Sequence, residues 1–372
     1  MAAFSSNHPT GVLFEEDLNT LIMRETSGSI PYYEPNKKKE REYPRQIVWG
    51  NVLALGYLHI ASIYGLYLVF GSAKLATIIF AIVLHITASM GITAGVHRLW
   101  SHRSYKAKLP LRIILMLWNT LAFQEPIINW ARNHRVHHKY SETNADPYNA
   151  KRGFFFAHIG FLLIRKHPEV IEKGRQIDLS DLMEDPVVAF QKKHYLKLLF
   201  PICFIFPTAV PILFWGESFS NSWHIAMVLR YIITLHSSFL VNSVAHLWGQ
   251  RPYDKFIQPV QNLGVAIIAF GEGWHNYHHV FPWDYKTNEL GNYSTNWTAL
   301  FIDMFAWMGW AYDLKTVSPT LISARVKRTG DGTHDVWGWE DKDMSLEEKL
   351  EATVLNRKTS RRLNDPSLNR FS

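Results

Sequence analysis

Four apolar runs decide what this chain can become. Ile47 to Phe70 and Leu75 to Val96 are the first two, and about Leu196 to Trp215 and about Trp223 to Trp248 the others. Each carries roughly the 20 residues a helix needs to cross ~30 Å of hydrocarbon. Inside a bilayer no water is at hand to bond a peptide group, so such runs are helical. Within each pair the connection is short: Gly71-Ser72-Ala73-Lys74 in one, Gly216 to Ser222 in the other, the second without Lys or Arg. The remaining segments are long and basic. They are the amino-terminal stretch ending in Lys37-Lys38-Lys39-Glu40-Arg41-Glu42, the stretch from Arg98 to Lys197, and everything after Arg251. An excess of Lys and Arg beside membrane spans marks the cytosolic side. The expected fold is an all-α membrane protein: four transmembrane helices in two hairpins, a cytosolic helical cap, and both termini cytosolic.

Residues 1–45 read as a cytosolic segment lacking the apolar core of a signal peptide, 46–316 as the membrane domain, and 317–372 as a charged, solvated tail with Lys349, Arg357, Lys358, Arg361 and Arg362. Leu109 to Phe123, Phe154 to Ile164 and Val260 to Phe270 are apolar but too short to span comfortably, and are expected as interfacial or buried helices. The net charge of +7 suits loops facing anionic lipid. Because the basic residues flank apolar spans, nucleic acid is a poor partner. Cys203 is the one cysteine, which excludes an internal disulfide and thiolate metal ligation. The sequons Asn292-Tyr293-Ser294 and Asn296-Trp297-Thr298 are expected on the cytosolic side and unused.

Chemistry enters with histidine. Of 18 in the chain, eight fall in three boxes: His97 and His102; His134, His137 and His138; His275, His278 and His279. In the second and third boxes the spacing is i, i+3 and i+4, which puts three imidazoles on one helix face. His97 and His102 are five apart, which suits a helix end better than a regular face. A lone histidine is most often packed or solvated, and His85, His158, His167 and His236 are read so when taken by themselves. Three boxes on one side of a membrane are not explained that way. Eight imidazoles exceed what one ion takes and suit two ions of five or six ligands, each with an open position. Neutral nitrogen ligands fit Fe, Cu, Ni or Zn. Zinc rarely needs more than three protein ligands at a catalytic site, whereas two irons with open positions can activate dioxygen. Glu272-Gly-Trp-His275 matches one ExxH element of a soluble di-iron bundle. Such bundles need two of these helices plus two further glutamates, so Glu272 is set aside.

The string Gly91-Ile-Thr-Ala-Gly-Val-His97-Arg-Leu-Trp-Ser-His102 closely resembles the first box of the membrane acyl-CoA desaturases. So do His134-Arg-Val-His-His138 with Lys139-Tyr-Ser-Glu-Thr-Asn-Ala-Asp-Pro147, and Gly273-Trp-His-Asn-Tyr-His-His279. The resemblance runs from about Tyr43 to Thr316 and is closest to the insect branch of the stearoyl-CoA desaturase group. It implies an oxidoreductase that inserts a cis double bond into a saturated long-chain acyl-CoA, using two Fe2+ ions, O2 and two electrons, for fatty acid or pheromone-precursor synthesis. From Asn242-Ser-Val-Ala-His246 it implies a ninth ligand, His246, and an iron-bound water held by Asn242. It implies that Gln124, Trp130 and Ser238 line the bend of an acyl tunnel, and that Arg132, Arg165 and Lys166 meet the CoA phosphates. The closed end of the tunnel is expected near His85 and Ser89.

Departures from the family pattern bear on the position of the double bond. Gln124-Glu125-Pro126 replaces Gln-Asn-Asp, Asn133 an aspartate, and Ser238 a threonine. Gln258-Pro-Val-Gln261 lies in a segment that varies between Δ9 and Δ11 enzymes, and both regiochemistries stay open. The resemblance further implies residence in the endoplasmic reticulum membrane with the active site cytosolic. No dinucleotide fingerprint or bound haem or flavin motif occurs, so cytochrome b5 and its NADH-dependent reductase are expected as separate partners. The nearest rival is a membrane di-iron fatty acyl or lipid hydroxylase. A metal transporter would need ionisable residues deep in the spans, whereas the boxes sit at or beyond their ends.

Overall fold

The computed structural model describes residues 44–289, 292–334 and 346–351. The basic cluster at 37–42 and the tail arginines Arg357, Arg361 and Arg362 lie outside them, as does Lys358. In chain order the elements that matter are α1 (Trp49–Gly71), α2 (Leu75–Ser101), α3 (Leu109–Ala122), α4 (Ile127–Tyr140), α5 (Pro186–Trp215), α6 (Phe219–Leu247), α7 (His275–Val280), α8 (Trp297–Trp307) and α9 (Pro319–Thr329). Helices α1, α2, α5 and α6, with 23, 27, 30 and 29 residues, are long and apolar enough to cross a membrane.

The helices outrun the apolar runs that announce them. Helix α5 starts ten residues before Leu196, because the Asp185 carboxylate caps the Val187 amide and Pro186 occupies the first turn. Helix α2 runs on to Ser101 by changing its winding. From Gly91 to Ser101 it is a π-helix. Similar wide turns occur at Phe200–Ile205, where Pro201 supplies no amide hydrogen, and at Ser222–Leu229.

Two contacts fix how the spans assemble. At the end remote from the histidines, the Glu217 carboxylate accepts from the Lys74 amide (2.9 Å), the Thr77 hydroxyl (2.6 Å) and Asn221 Nδ2 (2.9 Å). The two short turns are thereby stitched together. At the other end Gly91 touches α3: a β-carbon there would sit 2.3 Å from the Asn119 nitrogen. Helix α1 turns Leu53, Tyr57, Ile60, Ile63, Tyr67 and Phe70 outward, the surface that a bilayer covers.

The cap is mostly helical, with one small antiparallel pair, β1 (Lys106–Ala107) on β2 (Ala311–Tyr312). Helix α8 lies beyond what the sequence suggested. The segment from 317 differs from a solvated tail over its first part. Ser318 and Pro319 start α9, Ile322 is buried, Arg325 pairs with Asp254, and the Thr329 hydroxyl bonds the Tyr253 carbonyl at 2.7 Å. These residues belong to the unit that extends to Thr333. The unit from His334 onward contributes a described helix, Leu346–Glu351.

Candidate metal centre

The five-residue spacing of His97 and His102 is explained by the π-winding of α2. There the His102 amide bonds the His97 carbonyl at 3.1 Å, and the two rings lie 5.0 Å apart in edge contact. The expected helix end is there, since α2 stops at Ser101 and His102 caps it, and the wide π-turn leading into that end makes i and i+5 neighbours. Helix α4 carries His134, His137 and His138, the short α7 carries His275, His278 and His279, and α6 brings His246.

These nine histidines form two groups. His97, His102, His134, His138 and His278 make one, and His137, His246, His275 and His279 the other. In each group the donor nitrogens lie within 4.8 Å of one another, a set able to hold one ion. The boxes are divided between them. In α4 the i and i+4 members serve the group of five and the i+3 member the group of four. In α7 the assignment is reversed. One face of each helix thus feeds two ions, and the two helices exchange roles.

Three carboxylates stand behind the rings. His97 Nδ1 is 2.9 Å from Glu272, His137 Nδ1 is 2.8 Å from Asp146, and His246 Nδ1 is 2.8 Å from Glu142. Each contact places the ring hydrogen on Nδ1 and turns Nε2 inward as a lone pair. The inward nitrogens crowd: His278 Nε2 is 3.0 Å from both His97 Nε2 and His138 Nε2, and His275 Nε2 is 3.0 Å from His246 Nε2 and 3.1 Å from His279 Nε2. His137 Nε2 is buried with no hydrogen-bond partner. Convergent lone pairs in a buried site call for cations, so these residues fit a pair of metal ions.

Burial, reinforced by neighbouring imidazoles, holds His134, His138, His275, His278 and His279 well below the usual imidazole range, keeping them neutral ligands. His137 goes the other way. Burial pulls it down, but Asp146, with Glu142, outweighs that and raises it. A ring made more basic in this way is also a stronger metal ligand. Burial would raise the Glu272 carboxyl, yet Arg98 and His97 bring it below the ordinary value. Arg98 is fully buried and also donates to the Tyr285 carbonyl at 2.8 Å, tying α2 to the loop after α7.

A cavity of about 550 Å³ reaches both groups, with His97, His134 and His275 in its wall. Gln124, Trp130, Ser238, Ser89, Asn242 and Lys166 line it too. The Gln124 amide donates to Ser238 Oγ at 3.0 Å, and Trp130 stacks on His134 with centroids 4.8 Å apart. Arg132, Arg165 and His85 are absent from this lining. Arg165 instead borders a small pocket beside Lys166. His85 is one layer back, 3.0 Å from the Thr234 hydroxyl and packed on Phe270, which does line the cavity. Gln258 to Gln261 is also away from the lining; Gln261 pairs with Gln250 and Trp274. His158 and His236 are satisfied side chains, as read: His158 Nε2 meets His236 Nδ1 at 2.9 Å, and His236 Nε2 meets His59 Nε2 at 3.0 Å.

The orienting carboxylates were missed from the sequence. Glu142 and Asp146 sat in a quoted motif without a role, and Glu272 was set aside as a false ligand signal. Nearness in sequence was a usable clue for Asp146, nine positions after His137, but not for Glu272, whose ring is His97, or for Glu142, which reaches His246 across 104 positions.

Residues 72–300 match the family model described as fatty acid desaturase. The chain is 59% identical over 360 residues to an acyl-CoA Delta-9 desaturase of Acheta domesticus, covering 96% of this chain and 100% of the relative. An acyl-CoA Delta12-desaturase of the same species is 57% identical, covering 94% and 98%. An acyl-CoA Delta(11) desaturase of Trichoplusia ni is 54% identical, covering 90% and 95%.

Proposed function

This chain belongs to the fatty acid desaturase family, and from that premise we propose that it inserts one cis double bond into a saturated long-chain acyl-CoA, at Δ9 or Δ11. The observation that carries the reading is an apolar cavity whose wall includes histidines of both metal-capable groups. Relatives named for Δ9, Δ11 and Δ12 activity stand at similar identity, so identity alone does not choose between positions.

In this reading the two groups hold iron, His97, His102, His134, His138 and His278 one ion, and His137, His246, His275 and His279 the other, with Asn242 holding a water. Two ferrous ions bound there would supply the dioxygen activation needed to take hydrogen from an unactivated methylene. The protein supplies place. Glu272, Asp146 and Glu142 hold three of the rings at fixed tautomer. Trp130 and Phe270 keep the reacting stretch dry, and the Gln124–Ser238 bond is a fixed polar point in the wall. A methylene needs neither acid nor base from the protein, so the carbon that is oxidised is the one the cavity sets beside the metals. Ser89 and, through Phe270, His85 bound the far end. Lys166, with Arg132 and Arg165 nearby, meets the anionic headgroup. Electrons come from cytochrome b5 and its NADH-dependent reductase.

Expression in desaturase-deficient yeast tests the reading. Monounsaturated products at carbon 9 or 11 support it, and hydroxylated or exclusively Δ12 products overturn it. We further propose the endoplasmic reticulum membrane, with both termini and the metal centre cytosolic. Asn296 is buried and bonds the Ala299 amide, so it cannot accept a glycan on either side; Asn292 is exposed and is the informative sequon. An unmodified Asn292 in microsomes is expected, and glycan there inverts the topology.

A further inference from the structure

Glu125 stands apart from the rest of the cavity wall. It follows Gln124, which is tied to Ser238, and precedes Pro126, which starts α4. Its φ is 77°, a left-handed conformation that a β-carbon disfavours and that persists where the surroundings enforce it. The carboxylate accepts Asn133 Nδ2 at 2.7 Å and lies 3.9 Å from Lys166 Nζ. Glu125, Asn133 and Lys166 all line the cavity, and Lys166 is the single Lys or Arg among the lining residues. The other acid in the wall, Glu272, is already engaged by His97 and Arg98.

We infer that Glu125 is a built-in competitor for the Lys166 ammonium, weakening the hold of the cavity on a phosphate-bearing headgroup and so acting as a specificity-determining residue. The inference rests on the acyl-CoA reading for the identity of that headgroup. The physics is direct. An anion that takes Lys166 must share it with a carboxylate and also approach a like charge. Both side chains are partly exposed, 36% and 43%, so the penalty is screened and modest. A plain bracing role, through Asn133 alone, predicts something different. Glutamine in place of Glu125 still accepts from Asn133 but carries no charge for Lys166.

The test uses the purified full chain and free coenzyme A as an unreactive probe, titrated by calorimetry. In about 20 mM salt, Glu125→Gln should bind roughly three- to tenfold more tightly than wild type. The gain should vanish in about 0.5 M salt, and also when Lys166→Met is combined with it. Equal or weaker binding by Glu125→Gln overturns the inference, as does a gain that survives Lys166→Met, or no binding of coenzyme A to wild type. If Glu125→Gln does not fold, Glu125→Asn replaces it, since asparagine tolerates a left-handed φ. The affinity pattern without any unsaturated product in yeast would sink the desaturation reading and leave this one standing. Normal product with no affinity change does the reverse.

Discussion

At the scale of single residues, the centre depends on acids that never touch a metal. Asp146 holds His137 at 2.8 Å and also accepts the Glu142 amide at 2.9 Å, so one buried side chain orders a ring and the loop after α4. Asp146→Asn keeps the shape but removes the charge behind the ring. It is expected to cost about 10- to 100-fold in metal affinity, read as metal content after dialysis against graded chelator. His137→Ala removes the ligand itself, and should abolish turnover and lower metal content; full activity in that variant would refute the ligand set. The eight box histidines were legible because their spacing is local, whereas His246, outside any box, entered only through the family resemblance. Their carboxylates were not, because an acid is a common residue and its partner is chosen by the fold.

Among elements, the cap is held in register by charge as well as by apolar contact. Arg135 of α4 forks onto Asp181 of the neighbouring helix Ser180–Glu184, at 2.9 and 2.7 Å, and Arg103 joins at 2.7 Å. Burial alone would raise the Asp181 carboxyl, but the two guanidiniums bring it down to about 2 from the ordinary 3.8. A depressed carboxylate stabilises the fold above its unfolded value and loses that contribution as pH falls through the folded one. The loss therefore lies between about pH 4 and pH 2. Since the carboxylate is partly exposed, the contribution is no more than about 1 kcal/mol at neutral pH. Asp181→Asn should lower the melting temperature by about 2 °C at pH 7, and the difference should shrink steadily as pH falls from about 4 to about 2. Thermal melts across that range decide it. The helices were read from apolar runs, whereas the π-winding of α2 was not, since nothing in Gly91 to Ser101 announces a change of hydrogen-bond step.

For the whole molecule, ions held by the two histidine groups would serve the fold as well as the chemistry. Eight buried imidazoles from α2, α4, α6 and α7, and the half-buried His102 just past the end of α2, converge with their donor nitrogens facing one another. Removing the ions leaves their lone pairs facing one another. A ligand at a hundred times its dissociation constant stabilises by about 2.7 kcal/mol, so stripping with chelator should lower the melting temperature by several degrees and readdition of Fe2+ restore it. No shift on stripping would show that the histidines do not hold metal. The sequence by itself determined the four spans, the two hairpins and the three boxes, because apolar length and helical spacing are local properties of the chain. Only the tertiary structure decided which histidine joins which group, which acid turns which ring, and where the cavity wall runs. Those follow from close approaches such as Gly91 on α3 and Glu142 on His246, made between residues far apart in the chain. Packing, with no counterpart in spacing or composition, sets them.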